Sequence, residues 1–207
     1  MCNLTNSTVN KLFILSIFLL FTLFTGFSQN ADIDLLRKIN LNRNKNLDGG
    51  FQFISNTTGI VSFGVPVVVL GTGLIMNDST IKQKGLLLGT SLVLTSGITV
   101  IMKYAINRDR PFKTYPDIEK LSSGGSHSFP SGHTSEAFST ATSLSLAFPK
   151  WYIIAPSLTW ATAVGYSRMH LGVHYPSDVL MGALIGAGSS YLCFKAQKWL
   201  HKKRIKS

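Results

Sequence analysis

Residues 54–76 read ISNTTGIVSFGVPVVVLGTGLIM and contain no charged side chain. A helix needs about 20 predominantly apolar residues to cross the hydrocarbon core of a bilayer, so this segment is long enough to span a membrane. Four more apolar segments follow, at residues 85–106, 134–148, 151–166 and 179–194. The later ones are rich in Ser, Thr and Gly, and Gly182 and Gly186 have the four-residue spacing of closely packed membrane helices. The sequence therefore predicts an all-α integral membrane bundle of five or six transmembrane helices.

An earlier apolar run, residues 12–27, follows Lys11 and ends near the small residues Gly26 and Ser28. This arrangement is typical of a secretory signal peptide over residues 1–28, and a retained first transmembrane helix is the alternative. In both cases residues 29–53 lie outside the cytoplasm. Their apolar residues favour a short amphipathic helix on the membrane surface, with a plain loop as the alternative. These apolar residues are Ile33, Leu35, Leu36 and Ile39.

The composition excludes several classes of protein. Hydrophobic residues make up 45% of the chain and charged residues 14%, whereas a soluble domain carries about 25% charged residues. The net charge is +11, but no basic run interleaved with aromatics lies in the middle of the chain, so no nucleic-acid partner is expected. Cys2 and Cys193 predict neither a disulfide framework nor a cysteine metal site. Residues 54–196 form the predicted functional domain, and the basic residues 197–207 predict a cytoplasmic tail.

Other basic residues lie on both sides of the predicted bundle. The lysines on the side of the tail are Lys11, Lys82, Lys84 and Lys150. The opposite side receives residues 29–53, 107–132 and 167–177, which also contain lysines and arginines. Because cytoplasmic loops normally carry the excess of basic residues, the cations on the far side need another purpose.

The first of three reactive stretches on that far side reads KYAINRDRP, residues 103–111. Lys103 and Arg110 are seven residues apart, so on a helix they share a face about two turns apart. Pro111 disfavours helical backbone at Arg110 and predicts the end of the helix there. Two cations at the mouth of a membrane span suit an anionic ligand, and contact with lipid headgroups is the alternative.

The second stretch reads SHSFPSGHT, residues 126–134, and immediately precedes an apolar segment. A helix that begins here directs free backbone N–H groups and its positive dipole end at the outer surface, an arrangement that binds phosphate. Gly132 lets an anion approach the backbone, and His133 is placed to give or take a proton. The alternative is a helix cap with an interfacial histidine.

The third stretch reads SRMHLGVHYPSD, residues 167–178. Asp178 follows His174 by four residues, so its carboxylate can bond one imidazole nitrogen and leave the other as a nucleophile. Arg168 adds a planar fork of donors suited to phosphate oxygens. One alternative is a buried salt bridge among these three residues. The other is a metal site on His170, His174 and Asp178, which the nearby cations and the helix-breaking Gly172 and Pro176 disfavour.

Together the three stretches resemble the type 2 phosphatidic acid phosphatase superfamily, whose signature is Lys-x6-Arg-Pro, Pro-Ser-Gly-His and Ser-Arg-x5-His-x3-Asp. All three parts match in order, and the resemblance covers roughly residues 50 to 195. It implies that His174 attacks phosphorus, that Asp178 orients His174, and that His133 protonates the leaving oxygen and then activates water. It also implies a metal-free site without a cofactor, in which the phosphate is held by Lys103, Arg110, Ser131, Gly132 and Arg168.

The resulting expectation is a membrane hydrolase that cleaves a lipid phosphate or pyrophosphate on the extracytoplasmic face of a bacterial-type inner membrane. Phosphatidic acid, phosphatidylglycerophosphate, an isoprenyl pyrophosphate and a lipid A phosphate are the candidate substrates. A transporter or binding protein for a phosphorylated solute is the main alternative, and a scaffold with a degenerate site is another. The motifs assign no role to His127, His170 or Glu136 and no oligomeric state.

Overall fold

The computed structural model describes residues 30–206, with side chains as far as residue 203. The predicted signal peptide or first helix at residues 1–28 lies outside the described residues. Within them the chain is all-α and has no strand. The helices are α1 (30–40), α2 (Asp48–Ile75), α3 (Ser79–Ile106), α4 (Pro111–Thr114), α5 (Gly132–Ala147), α6 (Trp151–His170) and α7 (Pro176–Lys206), with a 3₁₀ turn at Lys45–Leu47 before α2.

Three segments are long and apolar enough to cross a membrane, namely Lys45–Ile75, Ser79–Thr114 and Pro176–Lys203. Helix α5 has 16 residues and extends about 24 Å, which is less than the ~30 Å hydrocarbon core. It lies inside the bundle and packs against α2, α3, α6 and α7. The predicted fold class, an all-α membrane helical bundle, is confirmed. Helix α7 continues unbroken to Lys206, so the basic tail is helical as far as that residue.

Small residues bring α5 and α7 together. A Cβ atom added at Gly182 would lie 2.7 Å from the main-chain oxygen of Ser131, and one at Gly186 would collide with the main chain of Ser135. Only glycine permits this separation, as the spacing of the two glycines predicted. The contact holds the first two turns of α5 beside the second and third turns of α7.

Helix α3 ends earlier than Pro111 predicted. Its last residue is Ile106, and Asn107 adopts left-handed backbone angles (φ 50°, ψ 40°) with its N–H bonded to the Lys103 oxygen. Asparagine tolerates this conformation better than most residues, so it ends the helix before proline does. The prediction that Lys103 and Arg110 share a helix face is therefore wrong. Lys103 lies in the last helical turn and Arg110 in the loop beyond.

The predicted amphipathic helix forms as α1, but its apolar face lies on protein rather than on the membrane surface. Ile33 and Leu36 are buried against Ile118 and Tyr175. The side chain of Asn40 bonds the main chain of Glu119 in both directions and the main-chain oxygen of His170. Helix α1 thus fastens the loop between α4 and α5 to the end of α6.

Candidate active site

The three reactive stretches meet at the end of the bundle where α5 and α7 begin. Lys103 donates from Nζ to the main-chain oxygen of His127, at 2.6 Å. Arg110 Nη1 lies 3.3 Å from His174 Nε2. His133, in the first turn of α5, is close enough to Lys103, Arg110, Arg168 and His174 for their charges to act on it. Side chains from residue 103 to residue 174 therefore surround one site.

The two nitrogens of His174 have different surroundings. Nδ1 lies 3.3 Å from Asp178 Oδ2, and Nε2 faces Arg110. Gly172, with φ of +69°, turns the chain sharply after α6, and the N–H groups of Val173 and His174 bond the Arg168 oxygen. If the proton lies on Nδ1, this nitrogen donates a hydrogen bond to Asp178, and the lone pair of Nε2 stays free.

Asp178 is fully buried and accepts several hydrogen bonds. The donors are Ser128 Oγ at 2.5 Å, Arg108 Nη1 at 2.8 Å and the Tyr175 N–H at 2.9 Å, in addition to the contact with His174. Donors on both oxygens stabilise the carboxylate and fix its orientation. The carboxylate in turn fixes the orientation of the imidazole.

Burial lowers the pKa of His174 to about 4, in spite of the opposing effect of Asp178. Desolvation disfavours the charged imidazolium, and the positive charges of Arg110 and Arg168 act in the same direction. The ring is therefore neutral, with a free nitrogen lone pair, at neutral pH.

Three cations at the site form no ion pair with any residue that the structure describes. Among residues 30–203, no carboxylate lies within ion-pairing distance of Lys103, Arg110 or Arg168. Arg110 donates to the main-chain oxygens of Ser126 and Val173. Neutral acceptors orient a guanidinium without cancelling its charge, so the site attracts an anion.

Arg168 is held in the same manner, although it is almost completely buried. It donates to the hydroxyls of Ser55 and Ser122 and to the main-chain oxygen of Ser123. Its Nε has no hydrogen-bond partner within the part of the chain that the structure describes. A buried donor without a partner is costly, and a phosphate oxygen is a suitable acceptor for it.

The start of α5 lies beside these cations. Gly132 is its first residue, and a Cβ atom there would be 3.9 Å from Lys103 Cε. The N–H groups of the first helical turn have no partner inside the helix and carry its positive dipole end. Ser131 is buried, with its hydroxyl 2.8 Å from that of Thr134, and its N–H donates to the main-chain oxygen of Asp178. This hydrogen bond joins the residue before α5 to the first turn of α7.

Sequence reasoning missed three residues of the site: Arg108, Ser128 and Asp32. Arg108 links Asp178 to Asp32 of α1, with Nη2 2.7 Å from Asp32 Oδ2. Arg108 lies inside the first matched motif and Ser128 lies two residues before the second, so their positions in the sequence could have indicated them. Asp32 lies more than 70 residues before its partner Arg108, and nothing in its local sequence indicates this contact.

The arrangement does not gather the residues of the alternative metal site. His170 ends α6 and bonds Asp48 Oδ1 through Nε2 at 2.8 Å, whereas His174 faces Asp178. In residues 30–203 no three His, Cys, Asp or Glu side chains are grouped so that they could hold a metal ion. His170 therefore fastens α6 to the start of α2. His127 packs its ring edge-on against Tyr104 and accepts the bond from Lys103 through its main chain.

Comparison with known proteins gives consistent similarities. Residues 84–202 match the family described as the PAP2 superfamily. The undecaprenyl-diphosphatase of Sulfolobus acidocaldarius is 31% identical over 183 residues, which are 87% of this chain and 86% of that protein. The crystal structure of Aquifex aeolicus LpxE superposes with a TM-score of 0.68 and 31% identity, over 80% of this chain and 95% of that one. The phosphatidylglycerolphosphate phosphatase of Bacillus subtilis gives 0.69 and 28%, over 93% and 95%.

Proposed function

The chain belongs to the PAP2 superfamily and is a membrane phosphatase of that type, and from this premise we propose that it hydrolyses a lipid phosphate or pyrophosphate through a phosphohistidine on His174. The observation that carries the proposal is the environment of His174. One nitrogen is oriented by Asp178, and the other faces a cluster of cations that have no anionic partner among residues 30–203.

In the first step the phosphate occupies the cradle of Lys103, Arg110, Arg168 and the N–H groups at the start of α5. His174 Nε2 attacks phosphorus, the P–N bond forms, and the P–O bond to the lipid breaks. His133 gives its proton to the leaving oxygen. The cations stabilise the charge on the phosphoryl oxygens, which is the main requirement of phosphoryl transfer. This chemistry requires no metal ion.

In the second step water attacks the phosphohistidine. His133 takes a proton from the water as the O–P bond forms and the P–N bond breaks. Inorganic phosphate then leaves, and His174 returns to its neutral form. Asp178 stabilises the positive charge that His174 carries while it is phosphorylated.

The position of the site supports a lipid as substrate. The cradle lies at the ends of α3, α5 and α7, and two of these belong to segments able to cross a membrane. A phosphate group at the surface of the bilayer can reach such a site while its hydrocarbon chain stays in the membrane. The similar proteins of Sulfolobus acidocaldarius and Bacillus subtilis are named for phosphorylated lipids.

We further propose that the site faces the extracytoplasmic side of a bacterial-type inner membrane. Lys82, Lys84, Lys150 and the basic end of α7 lie at the opposite end of the bundle, which is the pattern of a cytoplasmic face. In a chain without Cys2 and Cys193, a membrane-impermeant maleimide applied to intact cells should label Lys113→Cys but not Lys150→Cys. Both positions are exposed. The reverse pattern would place the site in the cytoplasm.

Release of phosphate tests the activity. The purified protein in detergent with a chelator should release inorganic phosphate from at least one lipid in a panel of phosphatidic acid, phosphatidylglycerophosphate, an isoprenyl pyrophosphate and a lipid A phosphate. A transporter or binding protein for a phosphorylated solute would release none. Activity that disappears with the chelator and returns with added metal would contradict the metal-free mechanism.

The low pKa of His174 predicts the acid limb of the pH profile. Since burial lowers this pKa to about 4, His174 is neutral and nucleophilic above that pH and loses activity as pH falls through it. We expect kcat/KM to decline near pH 4 rather than near the unperturbed histidine value of about 6.5. The pH profile should be measured with two esters whose phosphate groups have different pKa values. A breakpoint that both esters share belongs to the enzyme rather than to the substrate. A shared breakpoint near pH 6.5, reversible on return to neutral pH, would contradict the prediction.

A further inference from the structure

Five buried hydroxyl groups among residues 30–203 lack the usual hydrogen bond. Serine and threonine in a helix commonly donate to a main-chain oxygen one turn earlier, as Thr90, Ser143 and Ser157 do. The exceptions have no partner among the described residues, and each residue is at most 5% exposed. They are Ser62, Ser91, Thr95, Thr99 and Thr140. An unpaired buried hydroxyl destabilises the folded state, so five of them require an explanation.

Three of these hydroxyls, all on α3, form a column that begins at the phosphate cradle. Ser91, Thr95 and Thr99 precede Lys103 at four-residue intervals, so they share its face of α3 and extend roughly 18 Å below it. Helix α5 runs antiparallel to α3, with Gly132 beside Lys103 at one end.

At the other end of the pair, Ala147 packs with Leu87 and Leu88. This register puts Glu136 of α5 level with Thr99, and Thr140 level with Thr95. The apolar cluster around Leu88 closes the column at its lower end.

Glu136 is the one acidic residue of α5 and lies one turn after His133. Residues three apart on a helix are neighbours, with Cβ atoms about 5–6 Å apart. Glu136 is partly buried and takes part in none of the ion pairs formed within residues 30–203. A carboxyl group in that position avoids the cost of a buried charge by keeping its proton.

We propose, building on the function proposed above, that this column holds bound water and that Glu136 stores the proton that His133 delivers to the leaving oxygen. While the cradle is empty, Lys103, Arg110 and Arg168 oppose another positive charge on His133. A bound phosphate offsets these cations. The proton then moves from the Glu136 carboxyl group through water to His133.

The proton balance closes over one turnover. His133 passes the proton to the lipid oxygen as the P–O bond breaks, and Glu136 remains as a carboxylate. In the second step the attacking water gives its proton to His133 as the P–N bond breaks. When phosphate leaves, the cations again oppose the charge on His133, and the proton returns to Glu136.

Other charged or titratable groups near Glu136 and His133 belong to the neighbouring helices and loops. The buried polar residues of α2 are the uncharged Ser55, Thr58 and Ser62. The groups of the other elements are Lys103 of α3, Arg110 and His174 of the loops, Arg168 of α6, and Asp178 of α7 with its partner Arg108.

The substitution Glu136→Gln tests the role of the stored proton. It keeps the shape and polarity of the side chain but removes the acid. We expect kcat on a lipid phosphate to fall by about tenfold or more, with KM unchanged, because an alcohol leaves poorly without a proton. On p-nitrophenyl phosphate, whose leaving oxygen needs no proton, we expect a change of less than about twofold. Glu136→Asp, which retains an acid that water can connect, should recover most of the activity on the lipid.

Other outcomes separate this inference from the proposed function. If Glu136→Gln loses activity equally on both substrates, or on neither, Glu136 does not store the proton. The proposed phosphatase function still stands in that case, provided that the wild-type protein is active. A wild-type protein that cleaves neither substrate overturns the phosphatase itself. If Glu136→Gln does not fold, the comparison rests on Glu136→Asp, where a loss equal on both substrates again overturns the inference.

The substitution Thr99→Val tests for the water. Valine has nearly the shape of threonine and no hydroxyl, so removal of a truly unpaired hydroxyl should stabilise the protein. If Thr99 binds water, the melting temperature in detergent should fall by several degrees. The control is Thr90→Val, whose hydroxyl bonds its own helix and whose loss should change the melting temperature little. A melting temperature of Thr99→Val that is unchanged or raised overturns the hydrated column.

Discussion

Replacing His174 with alanine should lower kcat by roughly four orders of magnitude or more on every substrate that the wild type cleaves. The substitution removes the nitrogen that forms the bond to phosphorus, and no neighbouring group can replace it, because Arg110 and Lys103 remain cationic. Binding of the phosphate should survive, since the cations of the cradle are untouched. Phosphate release and equilibrium binding of a lipid phosphate measure the two effects separately.

Two further measurements make this expectation specific. His201→Gln changes an exposed histidine at the far end of α7 and should retain wild-type activity and melting temperature. With ³²P-labelled p-nitrophenyl phosphate, whose leaving oxygen needs no proton, His133→Ala slows only the attack of water and should accumulate label on the chain, whereas the double variant with His174→Ala should not. Substantial turnover by His174→Ala, or label that persists in the double variant, would remove His174 as the nucleophile.

The sequence predicted the fold class because long uncharged segments have few alternatives to membrane helices. The roles proposed for the site residues come from the resemblance of the three stretches taken together, and they remain predictions. The structure brings Lys103, His133, Arg168 and His174 close to one another. Local spacing, however, misjudged the end of α3, because the conformational freedom of Asn107 ends the helix before Pro111 does.

Contacts between distant segments were beyond what local patterns can predict. The amphipathic pattern of α1 identified a helix but not the surface that it covers, since Ile33 and Leu36 suit lipid and protein equally well. The link from Asp32 through Arg108 to Asp178 joins three segments that only the folded chain brings together. The sequence also did not predict the column of unpaired hydroxyls, because serine and threonine in membrane helices usually bond their own backbone.

The second large effect is expected for Asp178→Asn, which should lower kcat by about 10²- to 10⁴-fold. Ser128, Arg108 and the Tyr175 N–H all donate to this buried carboxylate, and His174 Nδ1 also faces it. An asparagine has one acceptor oxygen and one donor nitrogen, so it cannot accept from all of them. If its NH₂ group faces His174, the imidazole moves its proton to Nε2, and the nucleophilic lone pair is lost.

The control is Asp32→Asn, because Asp32 is bonded to the same Arg108 and lies at the same end of the bundle but does not contact His174. It should destabilise the protein by a comparable amount, because a hydrogen bond to a charged group contributes about 1.5–3 kcal/mol. Its kcat should fall by no more than about tenfold, since the tautomer of His174 is preserved. Melting temperature, kcat and KM of both variants separate the two effects. If both variants lose kcat equally, Asp178 acts only by stabilising the hydrogen bonds that it shares with Asp32 through Arg108. If Asp178→Asn retains a tenth of wild-type kcat, the Asp178 carboxylate does not set the tautomer of His174.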